Sequence, residues 1–281
     1  MKELITTYEP DNSLRKGYIN IFKEIVKETI HNRWLTWQLF RRNFFTMYKQ
    51  SLAGLAWIFL SPIINITIFV LLRKAGIFNI GEIDVPYPIY ALLGTAFWEL
   101  FKNGLSSCIT SIASAGSMII KINFSKKSLV FSSIGKPIVT FFIQITSVLF
   151  LFIIFQTAPS FSILLTPFLI LPIIIFTIGL GFLLSLINAV IRDVDNLISV
   201  FMTFLLFLTP ILYQKPTEGL LAQLTKYNPI YYLVTAPREF ILTGTMNEWR
   251  GYAIASALAI VIFIMSIIIF HLTETRISER M

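Results

Sequence analysis

The chain has 281 residues, of which 56% are hydrophobic and only 14% charged, with a formal net charge of +8. Soluble domains carry about 25% charged residues, and a soluble fold of this length leaves too much chain at its surface to hide so much apolar matter, so an ordinary water-soluble globule is excluded. The single cysteine, Cys108, excludes a disulfide framework or thiolate metal site within one chain, and cations lying ahead of and between apolar runs argue against nucleic acid as the partner.

Residues 1–50 are rich in charge and lack an early apolar core, which does not read as a signal peptide. From Asn20 the pattern turns helical, with Ile21, Ile25 and Val26 recurring at helical spacing. The segment 34–50 mixes tryptophans and phenylalanines with Arg41, Arg42 and Lys49. That composition suits a helix lying in the membrane interface, its aromatics dipping in and its cations facing lipid phosphates. Arg41 and Arg42 are the candidate phosphate contacts, and a cytosolic helix packed on the protein is the alternative.

Residues 51–72 contain no charge and meet the ~20 apolar residues that a spanning helix needs. The second span lies within 88–120 and carries Glu99 and Lys102 at i and i+3, on one helix face. Charges at membrane depth are costly and face a cavity or one another, so the two are expected either to pair for stability or to line a path for a polar substrate. Residues 137–191 hold no charge at all and are too long for one helix. The segment QTAPSFS, 156–162, divides them into spans at 137–156 and 163–188. Arg192 and Asp193 follow as a candidate ion pair fixing the turn into a fifth span, 196–213. Between Lys215 and Arg250 the chain is punctuated by proline and glycine, and its apolar pieces are short, as expected of interfacial or re-entrant helices. The sixth span is 251–272.

These runs are apolar on every side, without the ~10-residue alternating segments of barrel strands. Only helices and closed barrels satisfy the backbone within hydrocarbon, so the predicted class is an all-α polytopic membrane protein. It has six transmembrane helices, an N-terminal amphipathic interface helix and short re-entrant helices before the last span. The divisions are a cytoplasmic segment and interface helix at 1–50, a transmembrane domain at 51–272 and a cytoplasmic tail at 273–281. With both termini inside, 16 of the 23 lysines and arginines fall on the inner side and six outside, the bias expected of cytoplasmic loops. Nine of the 16 lie in the N-terminal segment, which therefore carries the assignment.

Several motifs in order resemble the ABC-2 permeases that export polysaccharide. They are Lys49, Gln50, Ser51, Gly54, Trp57 and Pro62 at the start of the first span, then Gly94 and Trp98 in the second. Lys121, Phe124 and Lys127 follow in the first long cytoplasmic loop. The most specific stretch is 187–213, with its N-x-x-x-R-D-V sequence and, one span later, T-P-I-x-Y. Asn228, Pro229 and Arg238 complete the series before the last span. Ser125 and Lys126 depart from the family pattern of a bulky residue and proline, as do Arg73 and Lys74 from its Phe-Gly.

The resemblance implies a permease of the inner membrane that exports a lipid-linked polysaccharide, such as O-antigen, and is not itself an enzyme. It implies a homodimer bound to two ATPase subunits, which bind ATP and Mg, with no cofactor or metal in this chain. The residues agree on one point. The nearest fragment to a phosphate-binding loop, Gly135, Lys136 and Pro137, lacks the earlier glycine, where Val130 stands, and the following Ser or Thr. Lys121, Phe124, Lys126 and Lys127 are the candidate coupling residues, an aromatic anchor in a polar rim. Sugar rings present apolar faces that slide along aromatic walls, which makes Trp57, Phe59, Phe97, Trp98, Phe101, Tyr231 and Tyr232 the candidate substrate path. Rival readings are an ABC-2 exporter of a drug or simple lipid and, further off, a polytopic membrane transferase.

Overall fold

The computed structural model describes residues 18–48, 56, 60, 64, 67–68, 70–71, 83, 85–116 and 125–277, and among these it is helix and loop without a strand. Most of the predicted first span, Trp57 and Phe59 included, lies outside the described residues, as do Lys121 and Phe124.

Two helices, α1 (Tyr18–His31) and α2 (Arg33–Tyr48), come first. The predicted second span is α3 (Tyr87–Ser114), which starts at a pair of prolines, Pro86 as cap and Pro88 within its first turn. A short helix, α4 (Lys127–Ser133), runs through a single turn at Ile134 into α5 (Gly135–Ile154). The expected break follows, with Gln156 in a left-handed conformation, φ +52°, and Ser160 capping the next turn. The chain then returns through α6 (Thr166–Leu169) and α7 (Leu171–Val190). After a tight turn come α8 (Val194–Leu208), α9 (Gly219–Tyr227), α10 (Pro229–Thr243) and α11 (Trp249–Ile277). Asn228 caps α10 by accepting from the Ile230 amide at 3.0 Å, and α10 closes at Gly244 with φ +76°.

The stretches Lys127–Ile154, Phe161–Val190 and Trp249–Glu274 are long and apolar enough to cross a bilayer, whereas Val194–Leu208 is apolar but shorter. α3 is the hub, packed against α5, α7, α8 and α10. Its side chains Leu92, Leu93, Ala96, Phe97, Leu100, Phe101 and Leu105 lie in the main core with Phe141, Val148, Ile173 and Phe176. Two of its polar side chains find partners on neighbouring helices, Glu99 on α5 and Ser106 on α8, as polar residues among apolar helices do. The outer faces of α5, α8 and α11 expose Phe150, Ile153, Phe201, Phe204, Ile254 and Met265. Apolar faces of this extent mark a membrane or partner contact.

α7 meets α11 closely at Gly179, where a Cβ would stand 2.9 Å from Phe263 Cα and 3.0 Å from its N. Small residues let helix backbones meet in membranes, where packing rather than hydrophobicity drives association. Because the obstacle is backbone, Gly179→Leu is expected to part the helices and cost about 1–3 kcal/mol. The expected readout is a lowered thermal midpoint of the detergent-solubilised protein.

Candidate functional site

Four elements meet at the end of the bundle where α4 lies. Lys127, the first residue of α4, is 1% exposed, and its Nζ donates to Glu28 Oε2 of α1 at 2.9 Å and to Glu274 Oε1 of α11 at 2.6 Å. His271 Nδ1 faces the same two carboxylates at 3.8 and 3.7 Å. Glu28, His271 and Glu274 are a set able to ligate a cation, and the Lys127 ammonium supplies that cation from within the chain. Beside it, Lys126 Nζ donates to the Glu274 carbonyl. Burial holds the Lys126 ammonium below its ordinary pKa, against the opposing pull of Glu274. One short helix is thus tied by charge to both the N-terminal and the last helix.

Apolar contacts reinforce the tie. Leu129 packs with Leu39 of α2 and Ala115, while Val130 and Ile134 join Ile21 and Ile25 of α1 and Phe270 of α11. Phe131 of α4 meets Phe182 of α7 edge-on at 5.2 Å, and Phe182 meets Phe270 at 4.9 Å. α4 is therefore in direct contact with α1, α7 and α11. Along α2, Trp34, Trp37, Arg41, Arg42 and Phe45 are exposed, with the Arg41 guanidinium 6.0 Å above the Phe45 ring.

At the opposite end lies the T-P-I-x-Y stretch, an irregular segment after α8. Its three successive carbonyls are each met by a side chain. Arg238 Nη1 donates to the carbonyl of Ile211, Tyr87 Oη to that of Leu212 at 3.2 Å, and Tyr90 Oη to that of Tyr213 at 3.2 Å. Asn228 Nδ2 adds a bond to Thr209 Oγ1 at 2.8 Å. Irregular backbone beside hydrocarbon persists only where such partners exist. Arg238 is 2% exposed, and its guanidinium lies 3.8 Å from the Tyr90 ring centroid. Gly94 makes room for it, since a Cβ there would stand 2.7 Å from Arg238 Nη1 and 2.9 Å from the Ile211 carbonyl oxygen. An open cavity of about 440 Å³ adjoins this end, walled in part by Tyr90, Tyr231, Arg238, Glu239 and Lys215. Burial raises the Glu239 carboxyl above the usual carboxylate range, with the Arg238 charge opposing.

The predicted residues are distributed over these features. Phe97, Trp98 and Phe101 sit in the core of the bundle, Phe97 against Phe141 at 5.0 Å and Phe101 against Phe176 at 5.8 Å. Tyr231 is buried, and Tyr232 beside it donates to the Lys226 carbonyl at 3.0 Å. Glu99 takes its hydrogen bond from Gln144 Nε2 of α5, at 2.5 Å, and forms no ion pair with Lys102. The nearer neighbour across the helix interface satisfies it without bending Lys102 back along α3. Arg192 and Asp193 are exposed and form no ion pair; the turn is held by Asp195, which accepts from Ser106 of α3 at 2.8 Å. Sequence reading missed Glu28, Glu274, His271 and Gln144. The one available signal was an acidic residue just past the end of an apolar run, as at Glu274.

A family model described as ABC-2 type transporter matches residues 35–242. The chain is similar to the O-antigen export system permease protein RfbA of Myxococcus xanthus, 23% identical over 259 residues, covering 91% of this chain and 98% of that protein. A protein of the same name from Klebsiella pneumoniae is 24% identical over 238 residues, covering 83% of this chain and 89% of its own length. A second from that species is 22% identical over 235 residues.

Proposed function

Because this chain belongs to the ABC-2 type transporter family, we propose that it is the permease subunit of an exporter carrying lipid-linked polysaccharide, of the O-antigen kind, out across the inner membrane. The observation that carries the reading is similarity along most of its length to three proteins named as O-antigen export permeases. Six spans, with both termini cytoplasmic, follow from the charge-free runs and the bias of lysine and arginine. The α4 end then faces the cytoplasm and the α10 end the outer side.

Two copies of the chain would enclose a path that one bundle does not leave open, since Phe97, Trp98 and Phe101 are filled against their neighbours. They line a path only when helices part; Trp57, Phe59, Tyr231 and Tyr232 complete the proposed aromatic wall. Two ATPase subunits, holding ATP and Mg, would grip the loop before α4 through Lys121 and Phe124, while Lys126, buried and bonded to the Glu274 carbonyl, would act with Lys127 through α11. Closing of those subunits would push α4, and the Lys127 ties would move α1 and α11 with it. Lys127 itself is buried, so it acts on the partner through these ties and not by direct contact. Arg41 and Arg42, exposed on the interface helix, would meet the phosphates of the lipid anchor.

The test is reconstitution of the permease with the ABC ATPase that co-purifies with it, with ATP hydrolysis measured against several lipid-linked glycans, a drug panel and simple phospholipids. Stimulation by a lipid-linked glycan alone is expected. Stimulation by a drug or simple lipid and not by any glycan would replace the cargo assignment. Hydrolysis by the permease without its companion would overturn the division of labour.

A further inference from the structure

Most of the circumference of α3 is sealed in the main core, through side chains such as Leu93, Phe97, Phe101 and Leu105. One side differs. Thr95, Glu99, Asn103, Ser106 and Thr110 recur three or four residues apart and so share one face, with Lys102 at its edge. Each of the six is half-buried or exposed. From Thr95 to Thr110 the stripe runs about 22 Å along the helix axis, most of the ~30 Å of a bilayer's hydrocarbon. Outward of it, every residue from Ile89 to Gly94 is buried, and Gly94 lies under the Ile211 carbonyl and Arg238. The stripe is therefore closed at the α10 end, and it continues to the exposed Ser114 at the α4 end.

Neighbouring helices border the stripe without covering it. Gln144 of α5 donates to Glu99 at 2.5 Å, and its own buried carbonyl oxygen, Oε1, has no partner among the described residues. Asp195 of α8 accepts from Ser106 at 2.8 Å. Lys102 and Asn103 make no hydrogen bond or ion pair with a described residue. Lys102 stands about 18 Å along α3 from the nearer helix end, too deep for its four-carbon stem to carry the ammonium to a headgroup.

Hydrocarbon does not satisfy such groups; at membrane depth they face a cavity or one another. The set is amphiprotic, since Lys102 donates, Glu99 accepts, and Asn103 and the hydroxyls do both. Thr95 and Thr110 donate to the Ala91 and Ser106 carbonyls of their own helix, which leaves their oxygen lone pairs open to an incoming donor. Donors and acceptors of both kinds, spaced along a line, complement a chain of hydroxylated rings. A simple ion would call for charge of one sign.

We propose that this stripe is a water-filled furrow that binds a run of sugar rings, with Lys102 and Asn103 gripping ring hydroxyls. The inference deepens the reading of the chain as an exporter of lipid-linked glycan and rests on it for the ligand's source. It moves the sugar contacts from the aromatic side of α3 to the opposite, polar side, so the rings are held without parting the core at Phe97 and Phe101.

The test reads water and glycan separately. Thr95→Cys and Thr110→Cys are made in the full chain and placed in nanodiscs. The controls are Ile153→Cys and Ile254→Cys on the exposed apolar surface and the wild type, whose Cys108 is fully buried. A thiol reacts as its thiolate, which apolar surroundings suppress, so a cationic methanethiosulfonate is expected to modify the two stripe positions about tenfold faster than the controls. Undecaprenyl-diphosphate-linked O-polysaccharide of Klebsiella pneumoniae is expected to slow modification of Thr110→Cys, and undecaprenyl phosphate alone to leave it unchanged. Lys102→Gln added to Thr110→Cys is expected to raise the glycan concentration for half protection about tenfold, the loss of a charged donor. Stripe positions that react no faster than Ile153→Cys overturn the furrow. A disulfide between two Thr110→Cys copies under oxidant, without modification, overturns it too and assigns the stripe to a contact between copies. Fast modification that the glycan does not slow overturns the sugar site, and the cargo assignment stands if the same glycan stimulates hydrolysis in the reconstituted complex. Stimulation by a drug or simple lipid alone removes the cargo assignment, and the reaction rates still read the furrow.

Discussion

Lys127→Met is expected to be the most damaging single substitution at the α4 end. It leaves the carboxylates of Glu28 and Glu274 facing each other and His271 with no ammonium between them. Removing one partner from a buried charge network costs about 3–5 kcal/mol, chiefly because the remaining charge stays buried and uncompensated. A change of that size is a large fraction of the about 5–15 kcal/mol by which folded domains are stable. The expected result is a fall in the yield of monodisperse protein after detergent extraction, a lowered thermal midpoint and lost export. The control is the variant Lys127→Met, Glu28→Gln, Glu274→Gln, in which no charge is stranded. It is expected to recover much of the stability, as buried networks replaced whole by neutral groups of like size often do. It is not expected to recover export in full, because α4 then pushes on α1 and α11 through apolar contacts alone. Full export in the triple variant would mean that the charge ties play no part in coupling.

The second large effect is expected at Arg238. Arg238→Leu removes the donor to the Ile211 carbonyl and the cation stacked on Tyr90, and it leaves a void beside Gly94. A buried carbonyl stripped of its partner costs about 1–3 kcal/mol, and a desolvated cation–π contact contributes about 2 kcal/mol. The expected result is a lower thermal midpoint together with faster proteolysis within residues 209–218, since the segment after α8 loses one of its three carbonyl partners. Tyr90→Phe keeps the stacked ring and gives up only the bond to the Tyr213 carbonyl, so it is expected to cost about 1 kcal/mol. Arg238→Lys keeps the charge and gives up the planar stack, and should fall between the two. Equal losses in the two Arg238 variants, with none in Tyr90→Phe, would show that the segment tolerates open carbonyls and that stacking carries the effect.

The spans were legible where composition acts locally. The charge-free run 137–191 has no stable solution in water, and its one polar interruption, QTAPSFS, became the left-handed turn at Gln156 and the Ser160 cap. The short helices before the last span were legible from Asn228, Pro229 and Gly244, whose cap and turn preferences are local. The site partners were not. Glu28 and Glu274 stand 99 and 147 positions from Lys127, and Gln144 stands 45 from Glu99. At i and i+3 Lys102 was the natural guess for Glu99, yet the facing helix supplied a closer group. The same holds for Asp195, which reaches Ser106 of α3 while its neighbours Arg192 and Asp193 face outward.

What the sequence by itself determined is the solvent this chain needs and the order of its helices, because both depend on residues within about 20 positions of one another and accumulate along each run. It also determined the family, since the motifs that mark it keep their order along the chain. Which helix face meets which was decided only by the tertiary structure. A helix in lipid is apolar all round, so its hydrophobic pattern does not fix its rotation. That rotation is set by close packing at glycines such as Gly94 and Gly179 and by the few buried polar groups that must find partners. Lys127 and Arg238 therefore acquire their roles only when α1, α3, α8 and α11 are in place around them.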